Sequence, residues 1–462
     1  MPPKENAKEE NPNYFTWTQL LVAVSVSLCS FCTGFCGAYT SPALPSMKGD
    51  DGKFSITSQE ESWVGGLMPL ACLVGGILGG LLIMYIGRKW TIMITAPPFI
   101  IGWLLIGFAT AIGMVLAGRV FCGLAVGLAT LVLPVYLGET LHPNVRGTLG
   151  LMPTLLGNGG LLLCYAFGSF LNWYLLAFAG AIFCIPFIIL TLFVPETPRY
   201  LLSRGKTEKA QKSLAWLRGK TGDVEAEMKE LASTQGETAN AKSTYGDMFK
   251  KRNRKPILIS LGLMLFQQMS GINVVIFYTH QIFLDAGSTI KPAIATVIVG
   301  VVNFVATLIA TAVIDRVGRK VLLYISDTTM IITLFTLAIF FFGKHKDWDL
   351  SGVGWLPLVA AGFYVLGFSV GFGPIPWLMM GEIMPASVRA PAASVATAFN
   401  WLCTFIVTKT YMDMISLINS YGAFSVYCVC CIIGMLFVIF FVPETKGKSL
   451  EQIEAELTGG KE

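Results

Sequence analysis

Residues 86–89 read Ile86-Gly87-Arg88-Lys89, and residues 317–320 read Val317-Gly318-Arg319-Lys320. Each follows an apolar block of about 20 residues, the length that carries a helix across a ~30 Å hydrocarbon core. Two further pairs keep the same order along the chain. Glu139 precedes Arg146 by seven positions, and Glu382 precedes Arg389 by seven. Pro195-Glu196-Thr197 ends one apolar block, and Pro443-Glu444-Thr445 ends another. The copies lie 231, 243 and 248 positions apart. Three motifs recurring in order imply two halves built alike.

Composition sets what those halves are made of. The chain has 462 residues, 54% hydrophobic and 13% charged, with a mean hydropathy of +0.65. An average soluble domain carries about 25% charged residues, so a soluble fold of this size is excluded. Apolar windows bounded by charge, Gly or Pro give twelve spans. Six run near 20–40, 63–84, 91–110, 113–136, 148–170 and 173–194, and six near 256–279, 293–314, 321–342, 355–380, 391–412 and 421–442. The expected organisation is a tail at 1–16, a six-helix half at 17–197, a loop at 198–255, a second half at 256–443 and a tail at 444–462. Two six-span halves in parallel are the architecture of the major facilitator fold, an all-α membrane protein with substrate between the halves near the midplane.

Charge orients the chain. The stretch Pro198 to Lys255 holds 14 of the 33 Lys and Arg residues, ending in Lys250-Lys251-Arg252-Asn253-Arg254-Lys255. The positive-inside rule places this loop and both termini in the cytoplasm. Beside a span, that basic run reads as a topology signal touching anionic lipid, not as a nucleic-acid patch. The net charge of +5 is too small to suggest nucleic acid. Within the loop Ala210, Leu214 and Leu217 recur at helical spacing, and Asp223 to Ala232 reads as a second amphipathic helix. The N-terminus lacks the features of a cleaved signal. All eleven cysteines lie in apolar blocks, where they act as small hydrophobes, so no disulfide framework is expected.

The repeated motifs then lie at the cytoplasmic ends of the spans. Arg88, Glu139, Arg146 and Glu196 in one half, and Asp315, Arg319, Glu382, Arg389 and Glu444 in the other, combine both signs. They are expected to form a cytoplasmic gate: an ion-pair network that holds the inner side shut in one state and separates in the other. Simple topology charge is the plainer alternative.

The chain resembles the sugar porters of the major facilitator superfamily from Phe15 to Leu457. The motifs are Pro134-Val135-Tyr136-Leu137-Gly138-Glu139, Pro195-Glu196-Thr197-Pro198-Arg199, and Gln267-Gln268-x-Ser270-Gly271-Ile272-Asn273. Asp315-Arg316-x-Gly318-Arg319-Lys320, Gly373-Pro374-Ile375-Pro376-Trp377 and Pro443-Glu444-Thr445-Lys446-Gly447 complete the set. Within that family the chain is most similar to the facilitated trehalose transporters of insects, through Arg146 to Leu151, Gly373 to Glu382 and Ala393 to Trp401.

The resemblance implies a sugar site, and the residues agree with it. Each charge at mid-membrane costs about 2.5–3.5 kcal/mol on insertion scales, so a neutral polyhydroxy ligand should meet amides and aromatics instead. Gln267, Gln268, Asn273, Asn303 and Asn400 each offer a donor and an acceptor. Trp377 and Trp401 can lie against the C–H face of a pyranose ring. The alternative is that some of these amides only join neighbouring helices, at about 0.6 kcal/mol each. Phe277 and Tyr278 resemble the aromatic lid of an outer gate, with an interfacial aromatic belt as the competing account of the tyrosine.

Several positions depart from the hexose carriers of the family. Thr154 and Met264 stand where those carry glutamines, Ser369 replaces a glutamate, and Phe372 interrupts a Gly-Pro-Gly-Pro run. The expected pocket is roomier and suits a disaccharide. Met84 replaces an acid in the first basic loop. Proton-coupled sugar symporters of the family carry an aspartate in the first span, whereas Trp17 to Met47 holds no acid. With the midplane left to amides and tryptophans, the expectation is facilitated transport of trehalose across the plasma membrane. A hexose carrier, a proton symporter and a non-transporting sensor are the alternatives; sensors of this fold usually carry longer cytoplasmic tails.

An enzyme fits poorly. Gly205-Lys206-Thr207, Gly219-Lys220-Thr221 and Gly447-Lys448-Ser449 lack the earlier glycine of a phosphate loop. His142, His280 and His345 have no metal-ligand spacing. No metal, cofactor or obligate protein partner is expected.

Overall fold

The computed structural model describes residues 16–49, 55–142, 145, 149–219, 224–240, 248, 250–287, 289–385, 388–446, 448, 452–453 and 456–457. Arg146 and the side chains of Asp315 and Arg389 lie outside the described residues.

Every regular element among the described residues is a helix. Ten helical stretches are long and apolar enough to cross a membrane. Two adjustments bring these to twelve spans. The fifth span, Met152–Gly168, has 17 residues, and the last helix, Arg389–Phe441, has 53, enough for two crossings. That last helix turns at Asn419, whose φ 57 and ψ 174 are non-helical. The expected spans near 391–412 and 421–442 are therefore joined through this residue without a loop.

The other spans in the first half are Trp17–Lys48, Ser58–Ile86, Arg88–Gly107, Ile112–Thr140 and Trp173–Phe193. In the second half they are Lys251–Ala286, Pro292–Val317, Arg319–His345 and the broken tenth span, Leu356–Val370 followed by Ile375–Ile383. A capping box starts the second span: Thr57 Oγ1 accepts from Glu60 N at 3.3 Å, and Glu60 Oε2 accepts from Thr57 N at 2.8 Å.

Glycine allows close packing inside each half. A Cβ on Gly75 would meet the Leu124 carbonyl oxygen at 2.3 Å, and one on Gly127 the Cys72 carbonyl oxygen at 2.2 Å. Spans 2 and 4 thus approach backbone to backbone, as small residues permit in lipid, where the hydrophobic effect adds little.

The central loop folds into Pro198–Ser203, Thr207–Arg218 and Val224–Asn240. Ala210, Leu214 and Leu217 are buried. Arg218 fastens the loop to the first half, donating to the Thr140 carbonyl at 2.9 Å and pairing with Glu227 at 2.6 Å.

The halves meet along spans 1 and 7, 2 and 11, and 5 and 8. At one end of this seam Tyr278 is 1% exposed, and its ring lies 5.0 Å from that of Tyr411. His280 N donates to Ser41 Oγ at 3.0 Å, and Lys409 Nζ sits 5.0 Å over the Trp63 ring. The halves are closed against each other there.

Candidate functional site

The seventh span carries Gln267 and Gln268 just before Gly271, which holds φ 86, and Asn273 just after it. A residue other than glycine is strained at that φ, and a Cβ there would also meet Tyr427 Cδ2 at 2.8 Å. The break shifts the register so that Asn273 Nδ2 reaches back to Gln268 Oε1 at 2.5 Å. Gln268 Nε2 donates to Asn400 Oδ1 at 3.1 Å and to Gln267 Oε1 at 3.3 Å. Asn400 Nδ2 donates to Gln267 Oε1 at 2.7 Å and reaches Met264 Sδ at 3.4 Å. Four of the expected site residues, from spans 7 and 11, thus form one cluster. Gln267 Nε2 ties it to the break in span 10, donating to the carbonyls of Phe372 and Gly373 at 2.8 and 3.0 Å. Ser326 Oγ in span 9 accepts from Phe372 N at 3.1 Å on the other side of that break.

Asn303 belongs to a different group. Its Oδ1 accepts from Ser369 Oγ at 3.1 Å, and its Nδ2 lies 3.5 Å from Asn158 Oδ1. Asn158 Nδ2 donates to Thr307 Oγ1 at 2.7 Å. Thr154, one turn before Asn158, is exposed. Trp401 is half-buried beside Asn400, and its Nε1–H has no acceptor among the described residues. Trp377 is 37% exposed on Ile375–Ile383, outside both hydrogen-bonded groups.

Phe277 and Tyr278 are buried between the halves, away from any lipid-facing belt. Tyr278 has φ −121 inside its helix, its hydroxyl donates to the Thr408 carbonyl at 3.3 Å, and a Cβ on Gly65 would meet it at 2.4 Å.

The repeated motifs build the same bonds twice. Arg88 Nη2 meets Glu139 at 2.8 Å, and Arg319 Nη2 meets Glu382 at 3.1 Å. Thr197 Oγ1 donates to Glu139 at 2.6 Å, and Thr445 Oγ1 to Glu382 at 2.5 Å. Glu196 accepts from the backbone N–H groups of Arg88 and Lys89, and Glu444 from those of Arg319 and Lys320. Each of these bonds joins span ends within one half. Burial pushes the Glu196 carboxyl above the usual carboxylate range, against N–H bonds from Thr197, Lys89 and Arg88. Burial also pushes Glu444 upward, but N–H bonds from Lys446, Lys320, Arg319 and Thr445 outweigh it and hold that carboxyl below the usual range.

Two buried ionisable residues qualify the expectation that the spans carry only amides and tryptophans. Arg119, fully buried in span 4, donates to the Cys36 carbonyl at 2.9 Å, the Val64 carbonyl at 3.1 Å and Thr40 Oγ1 at 2.9 Å. Asp327, 1% exposed in span 9, has an Oδ2 with no donor among the described residues. Arg119 escapes pattern reading because its main partners are backbone carbonyls of two other spans. The signal available was one basic residue inside an apolar block.

Among known proteins, the chain is 60% identical over 448 residues to the facilitated trehalose transporter Tret1 of Aedes aegypti, covering 96% of this chain and 56% of that one. It is 59% identical to Tret1 of Culex quinquefasciatus, covering 96% of this chain and 86% of that one. The chain thus spans little more than half the length of some relatives it matches. Among solved structures, the inward-open conformation of the E. coli xylose transporter XylE superposes with a TM-score of 0.80 at 25% identity, over 94% of this chain and 99% of that one. The model of the "Sugar (and other) transporter" family matches residues 22–457, and the chain belongs to that family.

Proposed function

We propose that this chain carries a neutral disaccharide, trehalose, across the plasma membrane by facilitated diffusion, with both termini in the cytoplasm. The observation that carries the reading is the cluster of Gln267, Gln268, Asn273 and Asn400, four carboxamides and no charge, anchored to the break in span 10. Amides pair with vicinal hydroxyls in either sense, and Trp401 offers a further donor beside them. Relatives about 60% identical that bear the name of trehalose transporters support the choice of sugar.

The proposed mode is alternating access, in which the contacts of Tyr278 with Gly65 and Thr408 close one side of the seam between the halves. The repeated Arg–Glu–Thr bonds make the cytoplasmic ends of each half rigid, so that the halves rock as bodies about the site. In this reading Arg88, Glu139, Glu196, Arg319, Glu382 and Glu444, first expected to gate, brace each half, while the expected roles of Arg146, Asp315 and Arg389 fall outside the described residues.

Zero-trans uptake of labelled trehalose into proteoliposomes of the purified chain tests the proposal. Saturable uptake is expected. Binding without uptake would make the protein a sensor.

A further inference from the structure

Two polar groups flank one stretch of span 10. Gln267 bonds the carbonyls of Phe372 and Gly373, while Ser369 bonds Asn303. Ser369 lies at the end of the helical part of span 10, and Gly373 lies in the break just beyond it. The first group lies wholly in the second half of the chain. The second does not: Asn158 comes from span 5 in the first half and meets Asn303 and Thr307 of span 8 in the other. It is a carboxamide in the otherwise glycine- and leucine-rich run Leu155-Leu156-Gly157-Asn158-Gly159-Gly160-Leu161. It is half-buried, and exposed Thr154 lies one turn away on the same face of the helix.

We propose that Asn158 and Thr307, with Asn303 and Ser369 shared at its edge, form a second polar subsite that reads the second ring of a disaccharide. The proposal rests on the assignment of the Gln267–Gln268 cluster as the sugar site. The bond lengths favour an adaptable contact. Asn158 holds Thr307 at 2.7 Å but reaches Asn303 only at 3.5 Å, the outer limit of a hydrogen bond. Because the partners belong to opposite halves, rocking separates them and frees one amide and two hydroxyl or amide groups toward the space between. A single-ring sugar seated on the first cluster leaves these groups to each other. A two-ring sugar replaces them with its own hydroxyls. Asn158 and Thr307 therefore set selectivity for ring number.

The test measures binding of trehalose and of methyl α-glucoside, a single-ring sugar, to the purified full chain, following quenching of tryptophan fluorescence. Asn158→Val and Thr307→Val should each weaken trehalose about tenfold and leave methyl α-glucoside within twofold, which also certifies the fold. Gln268→Ala should weaken both sugars. Equal losses for both sugars in the Asn158 and Thr307 variants would overturn the subsite, as would no loss for either. Wild-type affinity as high for the single ring as for trehalose would also overturn it. If Asn158→Val fails to fold, the isosteric Thr307→Val decides alone. Gln268→Ala without effect on either sugar would instead overturn the first cluster, so the two failures are distinguishable.

Discussion

The two halves are alike at the ends that carry the repeated motifs and unlike deeper in the membrane. Arg88–Glu139–Thr197 and Arg319–Glu382–Thr445 repeat bond for bond, and Glu196 and Glu444 cap the starts of spans 3 and 9. The second half gathers four carboxamides midway along span 7, whereas the first half seats Arg119 among the backbone carbonyls of spans 1 and 2, beside the Gly65–Tyr278 contact. In the proposed reading the duplicated frame keeps each half rigid, the second half supplies most of the ligand contacts, and the first closes over them. The difference is chemical. A buried guanidinium held by carbonyls is fixed by what it already bonds, whereas carboxamides can exchange partners with hydroxyls at small cost.

The largest effect should come from the amide cluster. Gln268→Ala removes bonds to Gln267, Asn400 and Asn273, and net neutral hydrogen bonds are worth about 0.5–1.5 kcal/mol each. Trehalose affinity should fall roughly 10- to 100-fold at 1.4 kcal/mol per decade, read in an uptake or binding titration. Unchanged affinity would dissolve the contrast between the halves.

Arg119→Met tests the other filling. It removes the guanidinium bonds to the Cys36 and Val64 carbonyls and to Thr40 Oγ1, about 1.5–3 kcal/mol for a hydrogen bond to a charged group. The thermal midpoint in detergent should drop, while the folded fraction still binds trehalose. A loss of binding at unchanged stability would move Arg119 into the site.

Smaller and matched effects are expected from the repeat. Thr197→Val and Thr445→Val each delete one hydroxyl bond to the gate glutamate, worth about 1 kcal/mol, and should lower the thermal midpoint by similar amounts. Clearly unequal losses would show that the two copies have drifted apart.

The smallest effect separates the copies by acid. In the folded chain Glu196 is pushed above the ordinary glutamate value of 4.5 and Glu444 below it. On acidification Glu196 therefore takes up its proton first, above pH 4.5. The stability contributed by ionised Glu444 persists at neutral pH and fades only as pH falls below that value. Infrared titration of the carboxyl band in Glu196→Gln and Glu444→Gln variants should assign the higher-pH proton to Glu196; the reverse order would contradict the burial argument.

Much of this was legible in the chain itself. Apolar blocks of membrane length and three repeated motifs carry the twelve-span, two-half plan, and local spacing places Gln267, Gln268 and Asn273 around Gly271. Asn400 could be grouped with them only by resemblance, because its contact spans 132 positions. Asn158 escaped altogether, since a lone asparagine in a glycine-rich run shows no periodic signal and its partners lie in the other half. Arg119 escaped because carbonyl acceptors leave no mark in a sequence. The cytoplasmic motifs were visible, but not whether their bonds run within or between the halves. That distinction depends on how the spans pack.

The central claim, a neutral sugar carried passively by an uncharged amide site, is tested most directly by the plateau of trehalose uptake in proteoliposomes under an imposed inward proton gradient. The account predicts that internal trehalose rises to the external concentration and stops there, with or without the gradient. Accumulation above the external concentration that collapses with a protonophore would contradict it, and would point to a titrating group such as the buried Asp327 as part of the transport cycle.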